Sequence, residues 1–201
     1  MSWIKTINYE EADSKLKSIY NRVKGPNNTI DNVLLIHSLR PHTLVGHMAL
    51  YKNVLHNANN KLPKWFLEAI GVYVSYLNRC EYCVEHHFSG LKRLLNDNEQ
   101  AEYFYKSLID DKLEEFFNDR YLKGYQYAKK LTLLHDQITK EDIELLRVSG
   151  FSDGEILELN QVISYFNYVN RTVLGLGVDT KGDILGLSPN DSKDSDNWNH
   201  K

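Results

Sequence analysis

The run from Ala69 to Asn78 contains no charged residue, and it constrains the fold more than any other feature of the chain. A helix that apolar is buried on most of its sides, so other elements must surround it. Its neighbours also read as helices. Leu16, Ile19, Tyr20 and Val23 share one face between Glu10 and Lys24, and Gly25-Pro26 ends that segment. Val33 to Ser38 is a short apolar turn or helix. Pro41 sits where a helix begins, with Leu44, Met48, Tyr51 and Leu55 following at helical spacing. Pro63 opens the helix that carries the charge-free run, which is expected to end near Asn78. Further helices are expected over Cys80 to Leu95, Glu99 to Leu108 and Leu113 to His135. Thr139 with Asp142, and Ser152 with Glu155, are N-terminal capping patterns for two more, the last running to about Leu174. No segment shows sustained strand alternation, so the expected fold class is all-α.

A chain of 201 residues suits one domain, expected over 1–187. Residues 188–201 are mostly Asn, Asp, Ser and Lys around a single Trp198. They read as a mobile polar tail in preference to one docked on a neighbouring subunit through Trp198, because one aromatic side chain buries too little to order such a segment. The net charge of −3 comes from interspersed acids and bases, which offers no basic block for a phosphate backbone, so no nucleic-acid partner is expected. No stretch is long and apolar enough for a membrane span. Met1 to Glu10 has no apolar signal core, and a cytoplasmic location is the expectation.

The only two cysteines, Cys80 and Cys83, lie three apart and directly follow the charge-free run. A bridge between them closes almost no loop, so a stapling role is disfavoured and redox chemistry or metal binding favoured. With Cys80 at the start of a helix and Cys83 one turn in, their Cα atoms lie about 5 Å apart, which fits a disulfide. A helix N-terminus stabilises a thiolate, and a thiolate attacks a peroxide oxygen to give a sulfenic acid. His87, four residues after Cys83, shares its helix face and can exchange a proton with the thiol. His86 points about 100° away around the helix and is expected to contribute less. Glu68 heads the charge-free run, and a carboxylate there needs a partner. In a helical hairpin turning around Asn78 to Glu81, Glu68 and His87 are offset by about one turn, a gap that one bridging water spans. Gly71 and Ser75 would let the two helices approach. The metal alternative uses Cys80, Cys83, His86 and His87 as zinc ligands, a tight set for tetrahedral closure. A c-type haem is excluded because Val84 follows Cys83.

The pattern of Glu68, twelve residues to Cys80, then Cys83, then His87 four residues on resembles the carboxymuconolactone decarboxylase / alkyl hydroperoxidase AhpD-like family. The flanks Val74-Ser75-Tyr76-Leu77-Asn78-Arg79, Ser38-Leu39-Arg40-Pro41 and Tyr165-Phe166-Asn167-Tyr168-Val169-Asn170-Arg171 are similar to its uncharacterised peroxidase-related branch. The resemblance spans residues 5 to 180. It implies an AhpD-like helical bundle that assembles into a homo-oligomer (dimer, trimer or hexamer). It also implies a thiol-dependent alkyl hydroperoxidase-type enzyme without cofactor, acting on a peroxide and recycled by an external thiol or dithiol. Carried over, Cys83 forms the sulfenic acid, Cys80 is the proton donor and resolving thiol, and Glu68 and His87 form a proton relay through water. The chain departs from well-studied members in having Tyr82, not His, before the second cysteine. A phenol is no base at neutral pH, and Tyr82 is expected to pack. Asn170 and Arg171, in the apolar last helix, are expected to be structural. Beside the peroxidase stand a protein disulfide reductase and a redox-regulated binding module on the same scaffold.

Overall fold

The structure, a computed structural model, describes residues 1–189 and 197–201. Among these residues the helices are α1 (Ser14–Val23), α2 (Asn32–Leu35), α3 (Pro41–Leu55), α4 (Lys64–Leu77), α5 (Glu81–Leu95), α6 (Asn98–Ile109), α7 (Asp119–Leu133), α8 (Lys140–Val148) and α9 (Asp153–Gly175). No strand forms among the described residues, beyond one antiparallel bridge between Pro189 and His200. The class is all-α, as the periodicity requires. None of the described helices is long and apolar enough to cross a membrane.

The charge-free run becomes α4, whose residues from Phe66 to Ser75 are all buried. It packs on α5, α7 and α9. Each fully buried Phe, Leu, Ile or Val side chain stabilises the fold by roughly 1.5–3 kcal/mol, so Phe66, Leu67, Ile70, Val72 and Val74 make α4 the axis of the core. Gly71 is the point of closest approach, where a Cβ would collide with the Phe166 ring. The approach that Gly71 and Ser75 permit is therefore to α9 and not to α5. Ser75 accepts a hydrogen bond from Asn170 of α9 at 3.0 Å.

The hairpin between α4 and α5 turns where the sequence places it. Asn78 ends α4, Arg79 takes a left-handed conformation at φ 58°, and Cys80 is the N-cap of α5. Thr139–Asp142 and Ser152–Glu155 both form capping boxes, and Gly150 closes α8 at φ 92°. One expected helix is split. Leu113 to His135 contains a short 3-10 turn at Leu113–Glu115, and α7 starts afresh because the Asn118 side chain accepts from the Tyr121 N–H. The break lets Phe117 turn inward against Tyr125, with ring centroids 4.4 Å apart.

The expected tail includes 190–196, which lie outside the described residues; both of its flanks are packed. Trp198 is buried at 4% exposure, and the Arg22 guanidinium lies 4.0 Å from its ring centroid. The Trp198 N–H donates to the Arg22 carbonyl at 2.8 Å, and His200 Nδ1 lies 2.7 Å from the Val23 carbonyl oxygen. A lone aromatic holds because backbone hydrogen bonds and a cation–π contact on α1 of the same chain add to its buried area.

Candidate active site

Four helices converge on the cysteines. Cys80 and Cys83 are reduced and buried, with sulfurs 2.9 Å apart. The Asn170 amide of α9 hydrogen-bonds to the thiols and also accepts from Asn78 Nδ2 at 2.9 Å. Asn170 is thus part of the thiol environment, which its expected structural role understated. Arg171 is exposed, and its guanidinium donates to the Asn167 carbonyl one turn back on α9, at 2.7 Å.

The two thiols differ. The hydrogen bond from Cys83, acting against burial, lowers the Cys80 pKa below the ordinary cysteine value. Burial first, and then the adjacent Cys80 sulfur, push Cys83 well above that value. The first proton to leave the pair leaves a thiolate on Cys80, at the helix N-cap, while Cys83 keeps its proton. The helix-start argument therefore applies to the first cysteine and not to the second.

Glu68 and His87 meet directly. His87 Nδ1 lies 2.7 Å from Glu68 Oε2, so no bridging water is needed. The helices pack closely enough at Gly90, whose added Cβ would stand 3.9 Å from the Glu68 carboxylate, to remove the expected one-turn gap. Burial raises the Glu68 pKa, but the charge and hydrogen bond of His87 outweigh burial and hold it below the usual carboxylate value. With Nδ1–H tied to a carboxylate, Nε2 is the nitrogen left to exchange protons. His56 stands 3.8 Å from the other Glu68 oxygen. Burial lowers its pKa to about 4, so it faces the carboxylate as a neutral ring.

Cys83, His87 and Glu68 line one cavity of about 50 Å³, together with His47, Tyr51 and Tyr165. The Tyr51 and Tyr165 rings stack with centroids 5.4 Å apart. Burial raises both phenol pKa values well above normal, so both remain neutral hydrogen-bond donors. Burial lowers the His47 pKa to about 3. Cys80 borders a different, open groove of about 440 Å³ with Tyr76, Arg79, Glu81, Val84, Glu85 and Tyr105.

Tyr82 does more than pack. Its hydroxyl donates to Asp183 Oδ2 at 2.7 Å and accepts from the Val33 N–H at 3.1 Å. His86 turns to the same carboxylate oxygen, at 3.2 Å. With His86 on Asp183 and His87 on Glu68, the four proposed zinc ligands do not converge. Among the described residues no cluster of His, Cys, Asp or Glu is placed to hold a metal ion. Sequence reasoning did not find His47, His56, Tyr51, Tyr165 or Asp183. The first three sit in α3 or just after it, and their helical spacing marks Tyr51 only as core.

The fold built around this hairpin is that of the AhpD-like, peroxidase-related proteins. The AhpD core of an uncharacterised peroxidase-related protein from Ralstonia eutropha JMP134 superposes with a TM-score of 0.75 at 19% identity, covering 90% of this chain and 93% of that one. An uncharacterised peroxidase-related protein from Silicibacter sp. TM1040 gives 0.69 at 25% identity, over 78% and 80% of the two chains. The debrominase Bmp8, as a cysteine-to-alanine variant with 2,3,4-tribromopyrrole, gives 0.70 at 15% identity, over 90% and 95%. No protein-family profile matches the sequence, and no curated protein matches it.

Proposed function

We propose that the chain is a cysteine-based peroxidase in which Cys83 meets the peroxide and Cys80 resolves it. The observation that carries this reading is the convergence of Cys83, His87 and Glu68 on one cavity, with the second thiol in sulfur contact behind it. Cys80, as the thiolate, takes the proton of Cys83. The Cys83 thiolate attacks the terminal peroxide oxygen, so that an S–O bond forms as the O–O bond breaks. The departing alkoxide or hydroxide takes a proton from His87 Nε2, while Glu68 holds the imidazolium that gives it. Neutral Tyr51 and Tyr165 line the same cavity as donors to the developing oxyanion. The Cys80 thiol then displaces hydroxide from the Cys83 sulfenic acid, giving the disulfide and water. A dithiol reductant restores both thiols through exchange at Cys80, whose groove is open. Peroxide and two thiols thereby become alcohol, water and a disulfide.

Peroxide loss with dithiothreitol as reductant tests the assignment. Wild type should turn over many times. Cys80→Ser should react far more slowly, since the base for Cys83 is gone, and what does react should carry a dimedone-trappable sulfenic acid on Cys83. Cys83→Ser should be inert. Activity that survives Cys83→Ser would overturn the roles. Removal of a halogen is the second reading, since a debrominase shares this fold. The cavity of about 50 Å³ disfavours a ring carrying several bromines.

A further inference from the structure

Two segments outside the helical hairpin wall the Cys83 cavity. Gly186, Leu187 and Ser188 line it from one segment, and His200 lines it from the other. Both are pinned at points away from the sulfurs. Asp183 is the first anchor. Its Oδ2 accepts from the Tyr82 hydroxyl at 2.7 Å and pairs with His86 Nε2 at 3.2 Å, and both its oxygens accept from the Asn32 N–H at 3.1 Å. The Asn32 side chain returns the contact, donating to the carbonyls of Asp179 and Lys181 at 2.9 and 3.1 Å. Just beyond, Gly186 lies against α5 so closely that a Cβ there, at φ 78°, would stand 2.8 Å from Ser89 Cβ and 3.0 Å from the Gly90 nitrogen. The second anchor is Trp198 under Arg22, which places His200 at the cavity. Ser188 and Lys201 tie the two segments together through N–H donation in both directions, at 3.4 and 3.1 Å.

The space beside Cys83 is small, about 50 Å³. At roughly 10–15 Å³ for each water, it admits a few waters and nothing with a ring. It still offers hydrogen-bonding groups. His47 is wholly buried in its wall, and its Nδ1 has no hydrogen-bond partner among the described residues.

We propose that the segments 178–188 and 197–201 form a cover that sets substrate size, admitting hydrogen peroxide to Cys83 and excluding bulky organic hydroperoxides. This rests on the peroxidase reading and adds its substrate class. Selection works by exclusion. A substrate carrying a phenyl ring must first lift the cover, and the anchors at Asp183 and Trp198 oppose that.

The test compares kcat/KM for hydrogen peroxide and cumene hydroperoxide in wild type, Trp198→Ala and Asp183→Ala. Neither substituted residue touches a cysteine, Glu68 or His87, and a thermal melt reports whether each variant folds. Wild type should favour hydrogen peroxide, and the cumene-to-hydrogen-peroxide ratio should rise by about tenfold or more in either folded variant, equivalent to about 1.4 kcal/mol of lost discrimination. A wild type that uses both peroxides alike, with a ratio that neither variant moves, overturns the cover while leaving the peroxidase intact. Consumption of neither peroxide ends the peroxidase reading and, with it, the claim about substrate. The cover itself is then judged by Cys83 alkylation in a Cys80→Ser background. Iodoacetamide should far outpace a bulky maleimide until Trp198→Ala is added, and equal rates beforehand would remove the cover too.

Discussion

At the residue scale, the proposed chemistry rests on how four side chains are held. Glu68 is buried, and His87 Nδ1 stands 2.7 Å from its carboxylate. Glu68→Gln keeps the shape and removes the charge that orients and supports the imidazole. Its kcat/KM for peroxide should fall by about 10–100-fold, the usual cost of losing such an orienting partner, with melting temperature little changed. Stopped-flow peroxide loss reads the change, and an unaltered rate would remove Glu68 from the relay. The cysteines, Glu68 and His87 were legible because each lies a fixed helical distance from the hairpin turn. The direct contact was not, since it depends on how closely α4 and α5 pack beside Gly90. Tyr82 packs as expected, but its hydrogen bonds were hidden for a different reason. Its partner Asp183 lies 101 residues away, and no local pattern announces it.

At the scale of elements, α4 organises the bundle, and the absence of charge from Ala69 to Asn78 announced that role. What the pattern left open was which neighbour comes closest. The answer is α9, through Gly71 and Phe166, and the Phe166 ring in turn packs edge-on against His87 at 4.6 Å. Gly71→Ala gains about 1 kcal/mol of helix propensity. Against that, its Cβ collides with a ring that is fully buried and has nowhere to move, and overpacking of that kind costs about 1–3 kcal/mol. The net effect should be destabilising, seen as a lower urea midpoint, and activity should fall as the His87 ring shifts. An unchanged midpoint and rate would show that the α4–α9 contact is softer than described. The break before α7 was equally hidden. Asn118 is a good cap, but a run of aromatic residues on either side of it reads as one continuous helix.

At the scale of the whole molecule, burial of neutral histidines ties stability to pH. His47, His56 and His200 have pKa values lowered from 6.5 to about 3, 4 and 4, each first by burial. The unfolded chain therefore binds protons that the fold refuses. This stability is present above pH 6.5 and is lost as pH falls toward 4. Asp31 acts in the opposite direction. Burial raises it from 3.8 to about 6, with His86 opposing and Asp183 assisting, so it disfavours the fold as pH rises across that interval. Three groups outweigh one. Unfolding free energy should drop by about 3 kcal/mol between pH 7 and pH 5, counting about 1.4 kcal/mol per unit and group and allowing for relaxation. Urea titrations at the two pH values check this, and equal midpoints would mean that these histidines ionise within the fold. Only part of this level was readable beforehand. Helical periodicity indicated an all-α fold, but the packing of Trp198 and His200 on α1 depends on carbonyls of Arg22, Val23 and Lys24 that no spacing rule connects to them.

The central claim is that Cys80 and Cys83 form one redox centre. The most direct measurement treats the reduced wild-type protein with one equivalent of hydrogen peroxide, blocks free thiols, and maps the peptides by mass spectrometry. The account predicts loss of two hydrogens per chain, an intrachain Cys80–Cys83 disulfide, and full recovery of both thiols with dithiothreitol. Thiols that stay reduced while peroxide persists, or oxidation confined to one cysteine with no disulfide, would contradict it.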